Sequence, residues 1–197
     1  MKIKFLFIAA FILAVAASSG FAQSKTKIKA SDIRSVDFLN YSFRPPFFVG
    51  VGNTKTVKLR RGEFKDNDLI YSVAKDDIVY GDVNGDGTED AVVQIRLSSG
   101  ASLRAFEIHV YTPQKNGAAK LLARLDSDRV QNDYQKIYPD AVMCCAGGAP
   151  KIKKGYLIVE ALTDGLFLNP ENTTTFNYKL SGNKFVLTGK PTKKPIK

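Results

Sequence analysis

The sequence has few of the residues on which common catalytic sites depend. It contains one histidine, His109, two cysteines and no tryptophan. Nucleophilic hydrolysis usually needs a serine or cysteine beside a histidine and an orienting acid, and structural zinc needs about four ligands. No Gly-x-Ser-x-Gly elbow, His-Glu-x-x-His motif or phosphate loop is present. His109 alternates with Ile108 and Val110 in a predicted strand, so we expect an ordinary sheet-surface or packing role and not catalysis.

Long hydrophobic runs are also lacking, except at the amino terminus. Lys2 and Lys4 precede thirteen uncharged residues, Phe5 to Ala17, and small residues follow. This is the layout of a signal peptide, and the run is shorter than the roughly 20 residues that a membrane-spanning helix needs. We therefore predict a signal peptide over residues 1–22, with cleavage after Ala22, and a periplasmic or extracellular location. The alternative is an uncleaved amino-terminal anchor.

The formal charge of +10 is concentrated at the two ends of the chain. Nine of the 29 basic residues lie there, and the remaining 20 are balanced by 19 acidic residues. A basic stripe with interleaved aromatic residues, which nucleic-acid binding would require, is not present, so no nucleic-acid partner is expected. We predict a mobile basic segment over residues 23–30, a single β-rich domain over 31–188 and a disordered basic tail over 189–197. The tail either attaches weakly to anionic envelope polymers or only adds solubility.

The domain sequence alternates apolar and polar residues with a period of two, which is typical of half-buried strands. Helical periodicity is scarce and is confined to residues near Ser31–Ser35 and Asp128–Lys136. Short spacing between the strands favours antiparallel pairing. The expected fold class is mainly β, an antiparallel sheet or sandwich with few short helices. Strands are predicted at Thr56–Arg60, Leu69–Val73, Asp77–Tyr80, Asp90–Leu97, Arg104–Tyr111, Lys120–Leu125, Tyr156–Leu162, Thr174–Leu180 and Lys184–Thr188.

The segment from Asp82 to Asp90, Asp-Val-Asn-Gly-Asp-Gly-Thr-Glu-Asp, has the spacing of a calcium loop. Counted from Asp82 as position 1, residues with side-chain oxygens occupy positions 1, 3, 5 and 9 of the loop. A glycine occupies position 6, and the residue at position 7 can offer its backbone carbonyl. A hard cation needs six to eight oxygens, and alternate residues of a tight loop can point inward to supply them. The predicted ligands of a structural Ca²⁺ are Asp82, Asn84, Asp86, the Thr88 carbonyl and Asp90. The alternative is a tight acidic turn that binds no metal.

The flanking residues separate this loop from an EF-hand. Position 12 is Val93 and not glutamate, and Ile78–Tyr80 and Ala91–Val93 read as strands and not helices. The arrangement resembles the calcium loops of FG-GAP and VCBS-type repeats of exported proteins. The stretch Val79–Val93, with the strand-like segments that follow up to about residue 125, is similar to small uncharacterised secreted bacterial proteins with one such motif. The resemblance implies a structural calcium ion, but one copy of the motif departs from the repeated unit of a propeller.

Cys144 and Cys145 are adjacent, and export would place them in an oxidising compartment. A bond between them must close across a Cα separation of at most about 3.8 Å, which is shorter than usual for a disulfide. The pair therefore forms a strained vicinal disulfide or redox switch, stays reduced, or pairs with another chain.

Two functions agree with these features. The first is a non-catalytic exported domain that binds a protein or glycan of the cell envelope, with the aromatic residues Tyr41, Phe43, Phe47 and Phe48 as its binding patch unless they belong to the core. The second is an envelope hydrolase that uses a pair of carboxylates which the sequence does not identify.

Overall fold

The computed structural model describes residues 32–44, 56–66, 68–99, 103–166 and 169–197. These residues form mainly antiparallel strands with one α-helix and short 3₁₀ turns, which confirms the predicted fold class. Both the predicted signal peptide and the basic segment 23–30 lie outside the described residues. No helix within the described ranges has the length and apolar character needed to cross a membrane.

The predicted strands are all present, with shifted ends, and the helical segment near Asp128 is α1, Ser127–Gln135. The 3₁₀ turns are Ile33–Ser35, Phe38–Asn40 and Lys75–Asp77. The strands are β1 Ser42–Phe43, β2 Val57–Lys58, β3 Glu63–Asp66, β4 Leu69–Ser72, β5 Ile78–Gly81, β6 Asp90–Ser99, β7 Leu103–Pro113, β8 Ala119–Asp126, β9 Met143–Ala146, β10 Lys151–Lys153, β11 Tyr156–Leu166, β12 Asn169–Ser181, β13 Lys184–Leu187 and β14 Thr192–Pro195.

The first sheet has the strand order β3-β4-β6-β7-β8. Its long strand β6 pairs along one edge with β7 and along the other with two short strands placed end to end, β4 and then β5. The second sheet has the order β10-β11-β12-β13, and in two places a pair of short strands again lies end to end along one long strand. β9 and β10 share one edge of β11, while β13 and β14 share one edge of β12. Each long strand is thus hydrogen-bonded on both sides over much of its length.

The main core lies where the two sheets face each other. The first sheet contributes alternate residues of β6, β7 and β8, among them Val92, Phe106 and Ile108, because side chains separated by two positions share a face. The second sheet contributes Leu157 and Phe176, and α1 closes one end of the same cluster. This sandwich fixes β5 and β6, and therefore the loop between them.

A second core covers the outer face of the first sheet. Ala91, Val93 and Ile95 of β6 are buried there beneath the amino-terminal turns and the β1-β2 ribbon. Phe43 belongs to this core and is 1% exposed, while Tyr41 is half-buried and its ring meets that of Phe43 edge to face. The core alternative is therefore correct for Phe43, which is not part of an exposed binding patch. Phe47 and Phe48 lie outside the described residues.

The carboxyl terminus differs from its prediction. Residues 189–197 were expected to be a disordered tail, but Thr192–Pro195 form β14 and pair with Asn172–Thr175 of β12. The open edge of β12 supplies backbone partners, and proline is tolerated in an edge strand. Lys193 adds an ion pair to Asp164 at 3.1 Å and stacks over the Tyr138 ring at 4.2 Å. The sequence prediction failed because it considered only what the tail could bury by itself.

Candidate metal loop

The acidic segment is the connection of an antiparallel hairpin. β5 and β6 pair from Ile78 opposite Val93 to Gly81 opposite Asp90, so residues 82–89 form the loop between them. The prediction that strands flank the loop is confirmed. A side chain at Gly81 would meet Ile152 of β10 at 3.2 Å, which shows how closely the base of the hairpin packs against the second sheet.

The first three predicted ligands organise the loop through hydrogen bonds from its own backbone. Asp82 accepts from the N–H groups of Gly85 at 2.6 Å and Gly87 at 2.9 Å. The Asn84 side-chain oxygen accepts from the Asp86 N–H at 2.8 Å, and Asp86 accepts from the Thr88 N–H at 2.7 Å. Each oxygen has a further lone pair for another partner. The loop conformation is therefore held by the same side chains that would bind a cation.

Gly87 allows the turn at position 6. Its φ is +79°, in the left-handed region that other residues rarely adopt, and a Cβ added at this position would meet no atom within 4 Å. The requirement for glycine is thus conformational and not steric. This agrees with the role expected of position 6 in a calcium loop.

Asp90 is buried at the base of the loop, where its carboxyl group points back toward the loop backbone. Its Oδ2 accepts a hydrogen bond from the Val83 N–H at 3.1 Å, while its Oδ1 is buried and has no hydrogen-bond partner within the part of the chain that the structure describes. Burial is the main cause that raises the pKa of Asp90, and the charges of Asp86 and Asp82 raise it further. The Val83 N–H and the Thr112 hydroxyl oppose this rise. Asp90 therefore lies in the electrostatic field of the other two loop carboxylates, which disfavours its charged form.

Glu89, at position 8, is not one of the predicted ligands and pairs with an arginine instead. Arg34 binds its carboxylate with two nitrogens, at 2.6 and 2.7 Å, and stacks over the Tyr80 ring at 4.5 Å. Arg34 lowers the pKa of Glu89, chiefly through these hydrogen bonds. The amino-terminal turn is thus tied to the end of the acidic loop. Sequence patterns offered no signal for this contact, because the two residues are 55 positions apart.

The oxygen atoms that the loop offers as ligands are of the chemical types that a hard cation binds. Carboxylate, amide and carbonyl oxygens are the groups that Ca²⁺ prefers, and the buried Asp90 Oδ1 is an acceptor to which no described residue donates. Among the described residues, no group of three or more His, Cys, Asp and Glu side chains is gathered closely enough to hold a metal ion. A site in this loop would therefore depend on Asn84 and the Thr88 carbonyl as well as on the carboxylates.

Several other buried carboxylates are paired with cations or donors. Asp77 is 2% exposed and receives the Arg96 guanidinium, the shorter contact being 2.6 Å. Asp133 pairs with Arg129 and Lys136, both at 2.9 Å. Burial raises the pKa of Asp133, but the hydrogen bonds from Lys136 and Arg129 outweigh it and hold the pKa below its ordinary value. The Asp77 pair connects the Lys75–Asp77 turn to β6, whereas the Asp133 pairs lie within α1 and its carboxyl-terminal cap.

His109 lies in the outer core. It is fully buried, its ring meets Phe43 edge to face, and its Nδ1 is 2.9 Å from the Tyr111 hydroxyl oxygen. Its Nε2 lies 3.1 Å from Glu107 Oε1. Of the two roles expected from its place in a strand, sheet surface or packing, these contacts show packing.

The two cysteines lie far from the acidic loop in sequence, on β9, and both are half-buried. Their sulfur atoms are 2.7 Å apart. β9 is not among the strands predicted from the sequence.

Comparison with protein-family models, curated proteins and solved structures finds no match for this chain. The likeness to calcium loops of FG-GAP and VCBS type therefore stays a prediction from the sequence motif.

Proposed function

We propose that this protein is an exported, non-catalytic β-sandwich domain whose β5-β6 loop binds one structural calcium ion. Asp82, Asn84, Asp86, the Thr88 carbonyl and Asp90 would hold the ion. The observation that carries the proposal is the buried Asp90 Oδ1, which finds no hydrogen-bond partner among the described residues and lies at the base of a loop with further carboxylates. Export is supported by the signal-peptide pattern of residues 1–22.

The proposed role of the ion is to stabilise the hairpin. A bound cation supplies positive charge that offsets the mutual repulsion of the loop carboxylates. The loop leads directly into β6, whose side chains are buried on both faces of the first sheet. Stabilisation of the loop by a bound ion therefore also stabilises the strand at the centre of the fold. Extracellular calcium modules bind at about 10⁻⁴ to 10⁻³ M, which suits a permanently occupied structural site.

Thermal unfolding with and without calcium tests this proposal. At a free calcium concentration ten times the dissociation constant, binding to the folded state alone adds about 1.4 kcal/mol. For a chain of this size, that raises Tm by about 3 to 6 °C. We expect calcium to raise the Tm of the wild-type protein by this amount, and we expect chelation to return the Tm to its calcium-free value.

The Asp86→Ala variant provides the specific comparison, because Asp86 is exposed and its loss leaves no cavity. Calcium should no longer raise Tm in this variant, whereas Asp140→Ala, a change at an exposed acid outside the loop, should keep the full gain. If chelation leaves Tm unchanged for wild-type protein that was loaded with calcium, the proposal is wrong.

Binding of a protein or glycan in the envelope stays a prediction of the same proposal. Burial of Phe43 removes one ring from the predicted aromatic patch. An array of envelope glycans and extracted envelope proteins, probed with the calcium-loaded protein, would test for a partner, and retention abolished by soluble competitor would support one.

A further inference from the structure

An irregularity in β9 brings the two cysteine side chains to the same side of the strand. Along β11, Leu162 pairs with Cys145 and the next residue, Thr163, pairs with Met143, so Cys144 is an extra residue in the ladder. Adjacent residues of a regular strand point to opposite faces, whereas a bulge redirects a side chain. The two sulfur atoms are consequently 2.7 Å apart.

The strand is fixed on its amino-terminal side by one glutamine of α1. The Gln131 amide oxygen accepts from the Met143 N–H at 2.7 Å, and its nitrogen donates to the Ala141 carbonyl at 2.9 Å. Both backbone partners lie within a few residues of the cysteines. The start of β9 is therefore held to the helix by a side chain that bonds in both directions.

The strand is also fixed beyond the cysteines. The Gly147 N–H donates to the Glu160 carbonyl at 2.7 Å, and the Gly148 carbonyl accepts from the Gln94 side chain at 3.1 Å. Gly147 lies so close to β11 that a Cβ would stand 3.2 Å from the backbone of Ala161. With both ends fixed, the bulge that brings the sulfurs together is part of the folded structure and not a loose loop.

We propose that Cys144 and Cys145 form a reversible two-electron redox site that exchanges with small-molecule disulfides such as oxidised glutathione. Their half-buried position leaves them accessible to a small thiol or disulfide. The cysteines lie on β9 and the acidic loop joins β5 to β6, so the redox site uses no residue of the proposed calcium site and can be tested without calcium.

The exchange proceeds in two steps. The thiolate of one cysteine attacks a sulfur of oxidised glutathione, forming a mixed disulfide and releasing one glutathione thiolate. The neighbouring thiolate then attacks the protein sulfur of that mixed disulfide, forms the Cys144–Cys145 bond and releases the second glutathione thiolate. The two protons lost by the cysteines are taken up by the released thiolates, and the two electrons pass from the protein sulfurs to glutathione.

The spacing of neighbouring residues explains why the bond would be reversible. Adjacent Cα atoms are about 3.8 Å apart across a trans peptide, whereas disulfides usually join Cα atoms about 4.4 to 6.8 Å apart. A bond confined to that spacing is strained and is reduced more easily than an ordinary structural disulfide.

The test is equilibration of the folded, exported protein with glutathione at increasing ratios of oxidised to reduced form. Thiols are then alkylated and each chain is weighed by mass spectrometry. We expect chains with either two alkyl groups or none, a complete change from the first to the second as the ratio rises, and full return in excess reduced glutathione without denaturant.

The single variants Cys144→Ser and Cys145→Ser serve as controls. Each lacks the second thiol, so each should retain one glutathione, while the wild-type protein retains none at equilibrium. Circular dichroism of the variants checks that the fold is kept. The proposal is overturned if the wild-type protein keeps two alkyl groups at every ratio, takes up two glutathiones, or forms disulfide-linked dimers.

Discussion

Replacing Asp164 by alanine should destabilise the sandwich through one buried tyrosine. Tyr134 of α1 is fully buried, and its hydroxyl donates to both carboxylate oxygens of Asp164, at 3.0 and 2.9 Å. Asn172 donates to the same carboxylate at 3.1 Å. Loss of the acceptor leaves the buried hydroxyl with a weak 3.4 Å contact to Thr163 and with Lys193 beside its ring, which costs about 1 to 3 kcal/mol.

The backbone at Asp164 adds to this cost. Its φ is +55°, a left-handed conformation that aspartate and asparagine tolerate better than alanine. We therefore expect Asp164→Ala to lower the free energy of unfolding by about 2 to 4 kcal/mol. Asp164→Asn keeps an acceptor oxygen and the tolerance for this φ, so it should cost about 1 kcal/mol. Urea unfolding followed by far-ultraviolet circular dichroism measures both.

A double-mutant cycle with Tyr134→Phe tests the assigned cause. Phenylalanine has no hydroxyl to leave unpaired, so the double variant should be more stable than the two single losses predict, by about 1 to 2 kcal/mol. If the two single losses in the free energy of unfolding simply add in the double variant, the reasoning is refuted. Additivity would show that the tyrosine hydroxyl and the carboxylate do not act together.

The pH dependence provides an independent check of the same carboxylate. Burial raises the pKa of Asp164, but hydrogen bonds from Lys193 and Tyr134 outweigh it and hold the pKa below the ordinary value. The stabilisation is therefore complete above the unfolded-state pKa, about 3.9, and is lost as the pH falls through the lower folded-state pKa. Asp164→Asn lacks this contribution, so its stability should fall less than that of the wild-type protein below about pH 4. If the free energy of unfolding falls equally with decreasing pH in the wild-type protein and in Asp164→Asn, the stabilising role assigned to the Asp164 carboxylate is wrong.

Two further changes test the edges of the second sheet. Gly147→Ala should cost about 1 to 3 kcal/mol, because the new methyl group would lie 3.2 Å from the Ala161 backbone, which cannot move without separating β9 from β11. Gly148→Ala meets only a flexible side-chain oxygen at 3.4 Å and should change the urea midpoint little; equal losses would show that the close approach is not the cause. Lys193→Met removes an ion pair and ring contacts and should cost about 1 kcal/mol, whereas Lys194→Met, the neighbour on the opposite side of β14, should cost almost nothing. Equal effects of the two lysine changes in thermal melts would show that β14 is not held by Lys193.

Local sequence patterns predicted the parts of the fold that local patterns determine. The alternation from Asp90 to Leu97 predicted β6, although the structure buries both faces of this strand, and the weak helical period near Asp128 predicted α1, since both signals are local sequence patterns. The hairpin around the acidic loop was predicted for the same reason, because apolar strands flank a segment rich in turn residues.

Tertiary contacts account for what the patterns missed. β14 is rich in lysine and proline and becomes a strand only because β12 presents an open edge beside Asp164. β9 contains an extra residue at Cys144, which breaks the period of two that identifies strands. The pairing of Arg34 with Glu89 joins residues that are 55 positions apart, so no local signal precedes it.

Calcium titration of the exported protein by isothermal calorimetry tests the central claim most directly. We expect one calcium ion per chain, bound with a dissociation constant of about 10⁻⁴ to 10⁻³ M, and loss of that binding when Asp82 and Asp86 are both changed to asparagine. Absence of binding to the wild-type protein at calcium concentrations well above this range, or equal binding by the double variant, would contradict the account.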